Sequence, residues 1–260
     1  MIDKINKIDI DSADLGVEVI NDSKMVSNIK NPATDIVKHK FCQTPVIVRE
    51  KYDSPSTEEL RKEPTFSRMK WKDALEASGP ITYKLLKRIG KHVHFDRQYA
   101  LVDVQVQFLK RGQYTTNHEG TAWHLDGATA VHPILSKFIG FNILENRGAL
   151  DIDDTLTRDR KMRFFSVFFN DISCTEYVEG PFGFDAPRCI SSWSTVSKLV
   201  DDYHPKTFKQ RPGHLMEFDD TVLHRATAAI CDGWRYWIRV GEIDFLPRPR
   251  DRHIDTVYEQ

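Results

Sequence analysis

The sequence predicts an α+β fold, with a helical layer followed by a run of short strands that form a large antiparallel sheet or sandwich. Three observations carry this. Ile81, Leu85, Leu86 and Ile89 recur at helical spacing, the stripe of a core-facing helix. ALVDVQVQFLK (Ala100–Lys110) alternates strictly, with Val102, Val104, Val106 and Phe108 on one face and Asp103, Gln105 and Gln107 on the other. Short β-branched and aromatic segments then follow one another toward the end of the chain.

The elements follow in order. TPVIVRE (Thr44–Glu50) reads as a strand, and KYDSPSTEELRKEP as a polar loop or short helix. From Ser67 to Ile89 the pattern is helical, in two pieces. Trp71, Ala74 and Leu75 share a face of the first, and Ser78–Pro80 breaks it. Pro80 then suits the first turn of the second, and Gly90 its C-terminal cap. After Ala100–Lys110, the further strands expected are Lys137–Leu144, Arg163–Phe169, His214–Phe218, Thr221–His224 and Trp234–Phe245. With no linker evident, the reading is one domain over 1–260. Residues 1–98 form a mostly helical support, 99–245 the strand core, and 246–260 a polar tail.

Composition narrows the function classes. Lys plus Arg is 37 against 38 for Asp plus Glu, a formal charge of −1, which argues against a dedicated nucleic-acid or anionic-membrane binder. Arg248, Arg250 and Arg252 could still form a local basic patch. Hydrophobic residues at 40% and charged residues at 29% fit a globular protein. No apolar run approaches the roughly 18 residues of a spanning helix, and the first residues lack the apolar stretch of a signal peptide. Cys42, Cys174, Cys189 and Cys231 are far apart and form no Cys-x-x-Cys pair, so a reducing, cytoplasmic setting is expected. Nothing in the sequence signals an oligomeric state. Serine-hydrolase elbow, P-loop and dinucleotide-binding patterns do not occur.

Three features carry chemistry. In Trp123-His124-Leu125-Asp126-Gly127, the two-residue spacing puts an imidazole and a carboxylate on the same face of an extended segment. Alone, the pair also fits a surface hydrogen bond. His224 ends the second of two strands separated by an Asp219-Asp220 turn, within reach of another strand; alone, it fits a core histidine. In Gly233–Arg239, residues Arg235, Trp237 and Arg239 share a face. Two arginines there suit a polar cavity that holds a carboxylate, since a buried guanidinium needs an anion and its planar fork binds both oxygens. An exposed edge strand would also carry them.

Together, a His-x-Asp pair, a distant histidine and an arginine about ten residues beyond it resemble the iron(II)/2-oxoglutarate-dependent dioxygenases. The resemblance runs from Asp103 to Val240, a little over half the chain, and is most specific in HRATAAICDGWRYWIRV. It implies a double-stranded β-helix, a jelly-roll and cupin-like core, with the N-terminal helices packed on one sheet. It implies that His124, Asp126 and His224 are the metal ligands, and that Arg235 pairs the distal carboxylate of 2-oxoglutarate. Arg239 is the second choice for that carboxylate, or holds the substrate. The implied cofactors are Fe(II), 2-oxoglutarate as cosubstrate, and O2. Two histidines and one carboxylate leave open positions that suit non-haem iron(II). The implied reaction oxidises a substrate C–H bond and yields succinate and carbon dioxide. Asp126 favours hydroxylation over halogenation, since halogenases of this type carry a small residue there. NHEGTAWHLDG is similar to a branch that hydroxylates free amino acids, so a small polar or amino-acid-like substrate is expected.

Alternation suggests the pocket. If Asp103, Gln105 and Gln107 look inward, they can bind substrate or cosubstrate, Gln107 beside the cosubstrate; solvent exposure of that face is the alternative. Asn142, on the face of Gly140, could point the same way. Trp123 could shield the metal or be plain core. Arg111, Tyr114, His118 and Glu119 could form a lid. His92, His94 and Asp96 offer a second constellation with tetrahedral metal-binding potential, while His132, His204 and His253 have no evident partners. Two rival readings remain. One is a cupin-like metalloenzyme that does not use 2-oxoglutarate. The other is a non-catalytic jelly-roll binding module.

Overall fold

The computed structural model describes residues 36–116, 121–126, 129–130, 150–190 and 192–244. These belong to one compact unit, Pro32–Gln260. The expected strand Lys137–Leu144 with Asn142, the polar tail with its arginines, His118, Glu119, His132 and His253 lie outside the described residues.

The structure is mostly antiparallel sheet with few helices. A six-stranded sheet is built from β2 (Val46–Lys51), β3 (Phe66–Lys70), β4 (Tyr99–Leu109), β7 (Arg163–Phe169), β12 (His214–Asp219) and β14 (Gly233–Ile243), in the order β2-β12-β7-β14-β4-β3. A three-stranded sheet contains β8 (Thr175–Val178) between β11 (Thr207–Lys209) and β13 (His224–Ala226). A second small sheet joins β5 (Thr129–Ala130), β6 (Leu150–Asp151) and β10 (Cys189–Ile190), and β1 (Ile36–Phe41) pairs with β9 (Phe182–Pro187). Five helices complete the described residues: α1 (Thr57–Arg61), α2 (Trp71–Ala77), α3 (Pro80–Ile89), α4 (Ile152–Thr157) and α5 (Trp193–Tyr203).

The large sheet is two-faced because its strands alternate. Val102, Val104 and Val106 of β4, Phe165, Val167 and Phe169 of β7, and Tyr236, Ile238 and Val240 of β14 form one buried cluster with Leu85, Leu86 and Ile89 of α3. The expected valine face therefore packs on the helices. Phe108 does not join it; it is exposed and meets Trp234 edge-on. The opposite face turns to the β11-β8-β13 sheet, where Tyr177 packs against Phe218 and shares a hydrogen bond with Ser166.

Local chemistry sets the helix starts. Ser56 and Glu59 form a capping box at α1. Pro80 opens α3 as expected, but no side chain at Gly79 caps it. Instead the buried Glu63 carboxylate reaches from beyond α1, accepting hydrogen bonds from the Ile81 and Thr82 amides at 2.8 and 3.0 Å. This satisfies donors that the helix leaves open.

Several boundaries differ from the sequence reading. Phe66–Lys70 is strand rather than helix, because its amides pair with β4 and Arg68 takes a left-handed conformation (φ 52°) at a bulge. The described part of the N-terminal region thus contributes three strands as well as three helices. The second histidine strand begins at His224 instead of ending there, since Asp219–Val222 closes a turn: Asp219 Oδ1 accepts from the Thr221 amide and hydroxyl. Gly90 caps α3 as expected, in right-handed geometry.

That turn contains a buried acid. Asp220 has no exposed surface; one oxygen pairs with Arg158 at 2.9 Å and the other has no hydrogen-bond partner among the described residues. Burial outweighs Arg158 and lifts its pKa to about 6. The folded state then holds a proton that the unfolded state has released, so stability falls as pH rises from about 4 through 6. Asp220→Asn is expected to remove that slope, worth up to about 3 kcal/mol between its two ends. Urea midpoints at pH 4.5 and 7.5 check it; an equal difference from wild type at both pH values would refute it.

Candidate metal centre

Two backbone hydrogen bonds bring the histidines together. The His124 amide donates to the His224 carbonyl at 3.0 Å, and the His224 amide donates back at 3.1 Å. This makes an antiparallel bridge between β13 and the segment preceding Asp126. Residues opposed in such a pair project to the same side, and the rings stand 4.4 Å apart between centroids. Asp126, two residues on, joins them, and its Oδ2 lies 3.4 Å from His224 Nε2. One ligand atom from each of the three side chains falls within 4.8 Å of the others. Among the described residues this is the one such group of three or more.

Both rings are oriented by the same device. His124 Nδ1 lies 2.9 Å from the Ala122 carbonyl, and His224 Nδ1 lies 3.0 Å from the Val222 carbonyl. A carbonyl only accepts, so each Nδ1 carries the proton and each Nε2 presents a lone pair, the tautomer a metal requires. Burial, with His224 adjacent, pushes the His124 pKa down to about 4, so its imidazole is neutral at ordinary pH. Burial works against ionisation of Asp126 as well. Arg239 and the two histidines outweigh it and hold the carboxyl well below the usual range. The group therefore offers two imidazole nitrogens, that of His124 neutral, and one anionic oxygen.

The walls come from residues to which the sequence reading gave no role at the site, though it expected the strand that carries Phe218. Tyr177 of β8 and Phe218 of β12 lie 5.8 and 5.1 Å from the His224 ring, and Trp193 at the start of α5 lies 6.1 Å from His124. The Trp123 indole does not face the triad. Alternation turns it the other way, into a second core cluster, where its indole donates to Asp201 at 2.9 Å and Arg225 stacks over it. A Ser-Ser-Trp-Ser helix start was the only trace of Trp193 in the sequence, and nothing there distinguished it from core.

The register confirms that Arg235, Trp237 and Arg239 share a face and stand opposite Gln107, Gln105 and Asp103. The two arginines have different surroundings. Arg239 is taken by acids: Nη1 donates to Asp126 Oδ2 at 2.6 Å, and Nη2 donates to Asp103 Oδ2 at 2.9 Å. Arg235 is 3% exposed, donates Nε–H to the Ser173 carbonyl at 2.7 Å, and lies against Phe168 and Trp237. No carboxylate pairs with it among the described residues. Burial brings its pKa down to about 10, which leaves it charged at neutral pH. Beside it, Gln107 donates to the Thr115 carbonyl, and its buried Oε1 has no hydrogen-bond partner among the described residues. Tyr177 lies within electrostatic reach of both Arg235 and Asp126, and burial raises its own pKa.

Other expected groups are not assembled here. His92 pairs with Glu50, and His94 accepts from Arg163, so the two histidines and Asp96 form no common site. The Arg111 amide is tied to Asp232, and Tyr114 is exposed. No helix among the described residues is long and apolar enough to cross a membrane. In comparisons with known proteins, no family model, no curated protein and no solved structure matches this chain.

Proposed function

We propose that this chain is a non-haem iron(II)- and 2-oxoglutarate-dependent oxygenase whose sheets belong to a double-stranded β-helix. On this reading it oxidises an unactivated C–H bond of a small polar, amino-acid-like molecule and releases succinate and carbon dioxide. The observation that carries it is Arg235: a buried guanidinium with no acid partner among the described residues, on the same strand face as Arg239, which holds Asp126 of the two-histidine, one-carboxylate cluster. A buried cation without an anion is costly, so a site that keeps one is built for an anionic ligand. A dicarboxylate that chelates the metal at one end needs such a cation at the other.

His124, Asp126 and His224 would hold the metal through two Nε2 atoms and a carboxylate oxygen. Iron(II) bound there would supply the activation of dioxygen. The chain's own groups do the rest. The fork of Arg235 binds the far carboxylate of the cosubstrate. Arg239, already paired with two acids, does not compete for it. Tyr177, Phe218 and Trp193 exclude water around the ligands. A reducing, cytoplasmic compartment goes with this reading, in keeping with ferrous iron and the free thiols of Cys42, Cys174 and Cys231.

Anaerobic titration with iron(II) and then 2-oxoglutarate tests it, following the weak visible charge-transfer band of the chelate. The band is expected in wild type. Iron binding without it would favour a cupin-like metalloenzyme, and absence of iron binding would favour a binding module.

A further inference from the structure

The Asp103 carboxylate sits behind the candidate centre and is 8% exposed. Four hydrogen bonds converge on it. Oδ1 accepts from Ser67 Oγ and from the Arg68 amide, each at 2.8 Å. Oδ2 accepts from Arg239 Nη2 at 2.9 Å and Nε at 3.3 Å. The third nitrogen of that guanidinium holds Asp126. The row runs from sheet edge to metal ligand: the β3 bulge, Asp103, Arg239, Asp126.

The bulge is shaped for this. β3 pairs Phe66 with Val104 and Met69 with Val102, so Ser67 and Arg68 together oppose Asp103. Two residues against one is the geometry of a bulge, a device that re-aims groups beside functional sites. Arg68 adopts a left-handed backbone that a side chain disfavours, and its amide thereby points at Asp103.

We propose that Asp103 is a positioning residue that acts through Arg239 on Asp126, keeping that carboxylate oriented and the centre net negative for a divalent cation. This rests on the metal site proposed above. The reason is charge. Arg239 alone beside Asp126 would cancel its charge and leave a dication facing two imidazoles. Asp103 returns the trio to a net charge of −1, so an arginine can orient the ligand without neutralising it. An ion pair serving the fold alone would not require its far end to be a member of the triad.

The test is cobalt(II) affinity of the 260-residue chain, read by titration of the visible cobalt band, with thermal melts of the metal-free variants alongside. Asp103→Asn is expected to weaken cobalt binding about ten- to a hundredfold, the usual cost of losing an outer-shell partner. Arg239→Gln cuts the connection, so adding Asp103→Asn to it is expected to change affinity by less than about threefold. Should Asp103→Asn alone fail to melt cooperatively, Ser67→Ala replaces it. It is expected to weaken binding about three- to tenfold in wild type and not at all beside Arg239→Gln. Wild-type affinity in Asp103→Asn, or in Ser67→Ala where that stands in, overturns the proposal, as does an equal loss with and without Arg239. Absence of cobalt binding in wild type instead overturns the metal site itself, and this inference with it.

Discussion

His224→Ala is expected to abolish stoichiometric iron(II) binding while the chain still folds. The reasoning starts from the bridge between His124 and His224, whose two hydrogen bonds are made by backbone and survive the substitution. The lost imidazole leaves a gap between Phe218 and Tyr177, costing about 1–3 kcal/mol, which a compact unit of this size can bear. What disappears is one of three ligand atoms, and Asp126 and His124 alone do not make a closed site for a labile divalent ion. Two measurements read this out. Iron content after anaerobic reconstitution should fall from one equivalent to none. The stabilisation that iron confers on wild type, about 2.7 kcal/mol at a hundredfold excess over its Kd, should vanish from the melt. His124→Ala is expected to behave alike. Retained iron in both variants would remove the triad.

The His124–Asp126 half of the cluster was legible in the sequence because its signal is local; His224, far along the chain, was joined to it only through the resemblance. His-x-Asp on an extended segment needs only the two-residue repeat, and the structure keeps that repeat: Trp123 and Leu125 turn into the core, while His124 and Asp126 turn toward His224. The valine face of β4 was legible for the same reason, since it alternates without interruption beside a helix of clear period. What the sequence could not carry was pairing. It put Arg235 and Arg239 on one face and left open whether that face and the face of Asp103 look inward. Which arginine meets an acid depends on the β4–β14 register, which sets Arg239 opposite Asp103 and Arg235 opposite Gln107. β1 was missed because the side chains it buries are His39 and Phe41 between lysines, a pattern that reads as surface. β3 was missed because a bulge breaks its alternation. α5 was missed because Ser, Thr and Asp fill its exposed face and only Val196 and Val200 are buried.

Arg235→Met separates a ligand-binding arginine from a structural one by moving two quantities in opposite directions. Methionine matches much of the arginine's volume and is at home against Phe168 and Trp237. The substitution forfeits one hydrogen bond, to the Ser173 carbonyl, worth about 1 kcal/mol. It also removes a buried charge that no acid among the described residues offsets, and replacing buried ionic groups by packed apolar ones is often stabilising by about 1–4 kcal/mol. The balance favours the variant, so the apoprotein is expected to melt a few degrees higher. Iron(II) affinity should not change, because Arg235 is not among the groups that hold the triad. 2-Oxoglutarate affinity should collapse: truncating one partner of a buried charge pair costs about 2–5 kcal/mol, or roughly thirty- to several-thousandfold in Kd. A calorimetric melt and an anaerobic titration on the same preparation give both numbers. If Arg235→Met melts lower than wild type and still binds 2-oxoglutarate at wild-type affinity, the guanidinium belongs to the fold, and the dicarboxylate must be sought at another cation.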